Sequence, residues 1–319
     1  MKSVNIAYSC DENYVQHTGI SILSLLENNI ELDNINIYFI YKDISNNSLD
    51  ILLKLVTSYN RNFYPIPFES ICYDLEIQNT GRHIETVYSK LFFSRINNIE
   101  KILYIDSDTV IIDSIWEFYN TELGNYLVGG VETLSVERKN DLGLRRSDRF
   151  INDGVVLMNL RAIKEENYLI KFQECIKEYA GHPPVLSEGV INKVCRNRIL
   201  VCNPRFNLMS GLIHFKSKLF LDVTDYYSRK EIREAVKNPV IIHYLTGFYG
   251  RPWSVFSRHP MKHYYLFYKN KSYWRDLSLS IDKLNFRYKL IKFLFDLFPH
   301  EILNFGRLLK RKILTIISH

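Results

Sequence analysis

Three shortages narrow the field at once. The 319-residue chain has five cysteines, Cys10, Cys72, Cys175, Cys195 and Cys202, odd in number, scattered and without a C-x-x-C pair. That pattern argues against a disulfide framework and a cysteine zinc site and fits a reducing compartment. Glycine and proline are sparse, at 13 and 9 residues, too few for a collagen-like or linker-rich chain. Long apolar runs are missing as well. No stretch reaches the roughly 18 residues of a membrane-spanning helix, and the opening MKSVNIAYSCDENY meets acidic residues before a signal-peptide core could form. These absences point to a protein made and kept inside the cell.

What is present is ordinary in bulk: 46% hydrophobic and 24% charged residues, enough chain for one large α/β domain or two small ones. The charge is unevenly placed. Of the net +6, residues 280–319 carry eight Lys/Arg against three Asp/Glu, a surplus of five, so the rest of the chain is close to neutral. In that tail Leu284, Tyr288, Ile291, Phe295 and Phe298 recur at helical spacing, and after Pro299 a second stripe follows in Ile302, Phe305, Leu309, Ile313 and Ile316. Arg307, Lys310, Arg311 and Lys312 lie mostly off the second stripe. Apolar stripes with cations beside them suit helices lying on an anionic membrane surface, the alternative being a helical hairpin packed on the catalytic domain. No base-stacking or base-reading motif accompanies the charge, so nucleic acid is not expected as a partner.

The body alternates short apolar runs with helical patterns. Residues 4–9, 36–41, 63–66, 101–105, 126–131, 155–160 and 240–243 read as strands; residues 19–28, 48–59, 162–179 and 187–195 read as helices. Such alternation predicts a mostly parallel, doubly wound α/β sheet, whose ligands sit beyond the carboxyl ends of its strands. The strand KILYI runs directly into Asp106-Ser107-Asp108. On an extended backbone the two carboxylates face one side, where their hard oxygens suit Mg²⁺ or Mn²⁺. The simpler alternative is an acidic turn after a strand.

ILYIDSD followed by IWEFYNTELG resembles glycosyltransferase family 8, whose members move sugars from nucleotide-sugar donors. Further motifs follow in the family's order: NIAYSCDENYV at the start, INDGVVLMNL at 151–160, NPRFNLM at 203–209 and HYLTGFYGRPW at 243–253. The stripes and charge of the tail mark 263–319 as a helical membrane-associating region; the resemblance, which runs from about residue 4 to 260, implies a GT-A type fold over 1–262 and retention of anomeric configuration. It implies Mn²⁺ (Mg²⁺ as the alternative) on Asp106, Asp108 and His243, with UDP-glucose or UDP-galactose as donor. Ser9, Asp11, Asn13 and Tyr14 would line the nucleoside, and Lys90, Ser107, Gly247 and Arg251 the phosphates and sugar. Asp11 and Asn13 also suit a helix N-cap, and Lys90 an ordinary solvated helix face.

The acceptor side departs from the family. Where Asp-Gln-Asp is frequent, this chain has Ser187-Glu188-Gly189, and Asp153 stands between Asn152 and a glycine. Glu188 and Asp153 are therefore the carboxylates available as nucleophile or charge stabiliser, with Glu132 and Asn152 as further acceptor contacts. The implied acceptor is a growing surface glycan or a lipid-linked saccharide, met by an enzyme peripheral to the inner face of the membrane. Two other classes compete: a binding protein of this fold that has lost catalysis, and a nucleotidyltransferase. The second requires a Gly/Lys-rich loop after the first strand, where this chain has the glycine-free SCDENY.

Overall fold

The computed structural model describes residues 1–78, 85–133, 137–214, 226–245 and 249–281. Among them ten strands are formed: β1 (Ser3–Cys10), β2 (Asn34–Tyr41), β3 (Asn62–Pro67), β4 (Lys101–Ile105), β5 (Thr109–Ile111), β6 (Val128–Glu132), β7 (Ile151–Asn159), β8 (Ile199–Val201), β9 (Leu208–Met209) and β10 (Ile241–His243). Seven make a sheet in the order β3-β2-β1-β4-β7-β6-β8, and β5-β10-β9 make a second, small one. In the large sheet only β7 runs against its neighbours, β4 and β6; the other pairings are parallel.

Strand alternation divides the core in two. Ile6, Tyr8, Leu103, Ile105, Val155 and Leu157 point into one cluster, with Ile22 and Leu26 of the helix Val15–Glu27 and Leu52 of the helix Asn46–Ser58. Ala7, Ile102, Tyr104, Val156 and Met158 point into the other, with Phe92, Ile176 and Ile191. A sheet buried on both faces needs apolar residues at successive positions, which is why β1, β4 and β7 read as continuous apolar runs.

Several expected elements take a different form. The helix expected over 162–179 is two, Leu160–Glu165 and Tyr168–Glu178, broken where Asn167 turns left-handed at φ 54°, a conformation asparagine tolerates. Tyr126 sits in the turn before β6, its N–H donating to Leu123 O at 2.7 Å. VYSKLFF lies in 3₁₀ rather than α geometry, within Glu85–Arg95. After Cys202, where the sequence pattern weakens into loops, the helix Arg229–Lys237 opens on a reciprocal Ser228/Glu231 capping box.

Residues 263–281, expected to begin a C-terminal helical region, pack on the body. Tyr265 and Tyr268 of the helix Lys262–Lys271 are buried against Val15–Glu27, where Tyr265 Oη meets His17 Nδ1 at 2.7 Å and Tyr268 Oη accepts from Asn28 Nδ2 at 2.6 Å. Gly19 faces Trp274 so closely that a Cβ there would lie 2.0 Å from the indole. Both amphipathic stripes of the basic tail lie outside the described residues.

Candidate active site

The two sheets meet at the acidic pair. Asp106-Ser107-Asp108 is the link between β4 of the large sheet and β5 of the small one. Each end is tied down: Asp106 N–H donates to Gly154 O at 2.7 Å and Tyr244 N–H to Asp108 O at 2.9 Å. Because β10 pairs antiparallel with β5, His243 stands opposite Thr109. A histidine distant in sequence is thereby placed beside both carboxylates.

His243 Nε2 lies 3.1 Å from Asp108 Oδ1 and 3.8 Å from Asp106 Oδ2, and the three donor atoms fall within 4.8 Å of one another. Around a cation with bonds of about 2.1 Å, adjacent octahedral ligands stand about 3.0 Å apart and opposite ones about 4.2 Å. The 3.1 Å spacing matches adjacent ligands and the 3.8 Å spacing falls between the two values, and the donor chemistry fits a divalent cation. His243 is fully buried, its Nε2 has no hydrogen-bond partner, and its Nδ1 meets Asn207 Oδ1 at 2.9 Å. Burial holds the imidazole below its ordinary pKa despite the nearby Asp106, Asp153 and Glu188 carboxylates. A neutral ring with an unpartnered buried nitrogen facing two carboxylates is a ligand set that could hold a divalent metal.

Gly154 explains the glycine of INDGVV. A Cβ at this position would lie 2.4 Å from both Asp106 Oδ2 and His243 Cε1, so a side chain would enter the space between the candidate ligands. Tyr104 adds a hydrogen bond from its hydroxyl to Asp106 Oδ1 at 2.7 Å.

The remaining carboxylates are braced. Asp153 Oδ2 accepts from Lys90 Nζ at 2.9 Å and from Ser187 Oγ at 2.6 Å. Lys90 also donates to Asp153 O at 3.0 Å and lies 4.1 Å from the Tyr104 ring centroid. It is 2% exposed, so the solvated helix face considered from the sequence is replaced by a buried ion pair. Glu188 is in the first turn of the helix Leu186–Val194, and its Oε2 accepts from Asn152 Nδ2 at 2.7 Å. Ser187 and Glu188 thus bring that helix onto β7, while Gly189 backs against Pro184, whose carbonyl oxygen would lie 1.9 Å from an added Cβ.

The positions expected around the donor are distributed along the carboxyl end of β1 and its neighbours. Ser9 Oγ donates to Thr86 O at 3.1 Å, and Ser107 Oγ accepts from Thr18 Oγ1 at 2.8 Å. Asp11 is the N-cap of a 3₁₀ turn, accepting from Asn13 N–H at 3.1 Å and from Asn13 Nδ2 at 3.0 Å. Tyr14 packs edge-on to Trp253, which stacks on His17 with ring centroids 3.7 Å apart. Arg251 is ion-paired with Asp108 Oδ2 and donates to Tyr244 O at 2.7 Å. Glu132 is buried at the end of β6 with Arg149 Nη1 at 3.7 Å. Gly247 lies outside the described residues.

Thr18 and Tyr104 touch these groups without a role having been read for them from sequence, while Ser187 was noted only as a departure from the family and Asn207 only as part of the NPRFNLM motif. Asn207 had the clearest signal, as the polar end of PRFN before the apolar Leu208 and Met209.

Among known proteins, a Haemophilus influenzae chain assigned as a glycosyltransferase is 28% identical over 216 residues, covering 65% of this chain and 63% of its own length. The lipopolysaccharide 1,2-glucosyltransferase of Escherichia coli K12 is 24% identical, covering 90% of this chain and 84% of its own. The galactosyltransferase LgtC, solved with donor and acceptor sugar analogues, superposes with a TM-score of 0.72 at 18% identity, covering 88% of this chain and 98% of its own; that likeness establishes the GT-A fold. Residues 5–255 match the model of glycosyl transferase family 8, and the chain belongs to that family.

Proposed function

We propose that this protein is a metal-dependent, retaining hexosyltransferase that moves glucose or galactose from a UDP-sugar to a growing surface glycan or lipid-linked acceptor. The observation that carries the reading is the convergence of Asp106, Asp108 and a neutral His243 on one point at the rim of the sheet. A divalent cation, Mn²⁺ by preference, would be held by these three and would take up negative charge on the departing diphosphate. The polar ends of β1, with Asp11, Asn13 and Tyr14, are the nucleoside side of the cleft. Arg251, beside Asp108, supplies a guanidinium whose fork suits the diphosphate oxygens.

In the transfer, the bond from the anomeric carbon to the diphosphate oxygen breaks and one to an acceptor hydroxyl oxygen forms, with loss of the hydroxyl proton. Glu188 and Asp153 are the carboxylates beside this point. Lys90 and Ser187 keep Asp153 fixed, which suits a group that steadies positive charge on the sugar. Glu188, oriented by Asn152, is the carboxylate assigned to the anomeric carbon in this reading, Asp153 being ion-paired to Lys90. Asn152 and Glu132 mark the acceptor side. The basic tail would bring the enzyme to the inner face of the membrane, where such acceptors are presented. A panel of UDP-sugars, screened for hydrolysis in the presence of Mn²⁺, tests the reading: turnover of UDP-glucose or UDP-galactose supports it, and inertness toward every UDP-sugar overturns it.

A further inference from the structure

One carboxylate at the site, Glu188, is joined to His243 by a hydrogen-bond chain with a defined direction. Asn152 Oδ1 accepts from the backbone N–H of Gly154 at 3.2 Å, and a backbone N–H can only donate. That contact fixes which way the Asn152 amide faces: its Nδ2 points to Glu188 Oε2 at 2.7 Å. The same Oδ1 receives Asn207 Nδ2 at 2.9 Å, so Asn207 must present its own oxygen, Oδ1, to His243 Nδ1 at 2.9 Å. An amide oxygen cannot donate, so the proton lies on Nδ1 and the lone pair on Nε2 faces Asp106 and Asp108. All four side chains are buried, and the β9–β10 pairing of Met209 with His243 puts Asn207 at this place.

We propose that Asn207 is a positioning residue: it fixes the tautomer and ring orientation of His243, and Asn152 ties that orientation to the Glu188 carboxylate. Residue 207 thereby sets metal affinity without touching the metal, as hydrogen-bonding partners behind metal ligands do. The inference rests on the proposed metal site and is separable from it by experiment.

Mn²⁺ binding to the full-length protein without donor, followed by electron paramagnetic resonance of the free ion, gives the readout independently of transfer activity. Asn207→Leu should weaken Mn²⁺ binding by about 10–100-fold, and Asn207→Asp, which keeps an acceptor against Nδ1, should recover most of the loss. Asp108→Ala is the control. If Asp108→Ala binds Mn²⁺ like the wild type, the metal site itself is wrong and the inference falls with it. If Asp108→Ala is impaired while Asn207→Leu is not, the metal site stands and the role of Asn207 is refuted. Long-range ¹H–¹⁵N correlations of the histidine rings in the metal-free wild type need no folded variant at residue 207. Assigned by their loss in His243→Gln, they should show the proton on Nδ1, and a proton on Nε2 would overturn the proposal.

Discussion

Gly154→Ala is the smallest change that should reach the heart of the site. Its methyl would lie 2.4 Å from Asp106 Oδ2, 2.4 Å from His243 Cε1 and 3.1 Å from Asn152 Oδ1. Relaxed contacts of a carbon begin near about 3.5 Å, so each of the first two groups would have to retreat by about 1 Å. The backbone is held on the β4 side, where Gly154 O accepts Asp106 N–H beside the Ile105–Val155 pairing, while the β6 register shifts across this stretch. His243 is fully buried, whereas the Asp106 side chain is 32% exposed, so Asp106 is the group that swings away. Metal sites tolerate errors of about 0.2 Å in ligand distance, and a misplacement near 1 Å can lower a rate by about 100-fold. The expected result is at least about a 100-fold loss of Mn²⁺-stimulated donor hydrolysis, with an overpacking cost of about 1–3 kcal/mol. The assay is a Mn²⁺ titration of UDP-sugar hydrolysis with thermal unfolding measured alongside. A Gly154→Ala enzyme with the wild-type Mn²⁺ midpoint and rate would refute the geometric argument.

Other perturbations separate the remaining parts. Lys90→Met leaves Asp153 buried without its ammonium and should cost about 3–5 kcal/mol in urea unfolding, part of which Asp153→Asn added to Lys90→Met should restore; a Lys90→Met protein of unchanged stability would contradict the pairing. Burial pushes His17 down to about 3 and His259 to about 4, so both are neutral in the fold and take up protons on unfolding below about 6.5. Stability should therefore be full above that pH and fall as the pH drops toward 4.5; urea midpoints that stay level across this window would contradict it, and replacing both by glutamine should flatten the slope. Truncation after Ile281 keeps the Ser280–Trp253 backbone bond and should abolish co-sedimentation with anionic liposomes while sparing donor hydrolysis. Undiminished liposome binding would show that the tail is not the anchor.

The parts of the fold legible in the sequence were those whose burial leaves a periodic trace. β1 and β4 are covered on both faces, so apolar side chains at successive positions announce them, while β2 alternates buried and half-buried residues. β5 and β10 have three residues each and β9 two, too short for any period. The antiparallel course of β7 against β4 and β6 leaves no signature in the strand itself. At the site, Asp106 and Asp108 stood out because acids ending an apolar strand are conspicuous. His243 could be attached to them only through family resemblance, since the β5–β10 register that joins them links residues more than 130 positions apart. Lys90 was ambiguous for a related reason: its buried partner, Asp153, comes from another element, and a lysine in sequence looks the same whether solvated or paired. Asn207 was part of the NPRFNLM motif, but no role could be read for it, because the role of a buried amide is set by what faces it.

Donor cleavage should depend on the cation that Asp106, Asp108 and His243 are proposed to hold. The most direct test is Mn²⁺-dependent hydrolysis of UDP-glucose and UDP-galactose by the wild type and Asp108→Ala, with circular dichroism confirming that both are folded. The wild type should turn over donor in a way that chelation removes and Mn²⁺ restores, and Asp108→Ala should show none at any Mn²⁺ concentration. Full activity in a folded Asp108→Ala protein would contradict it.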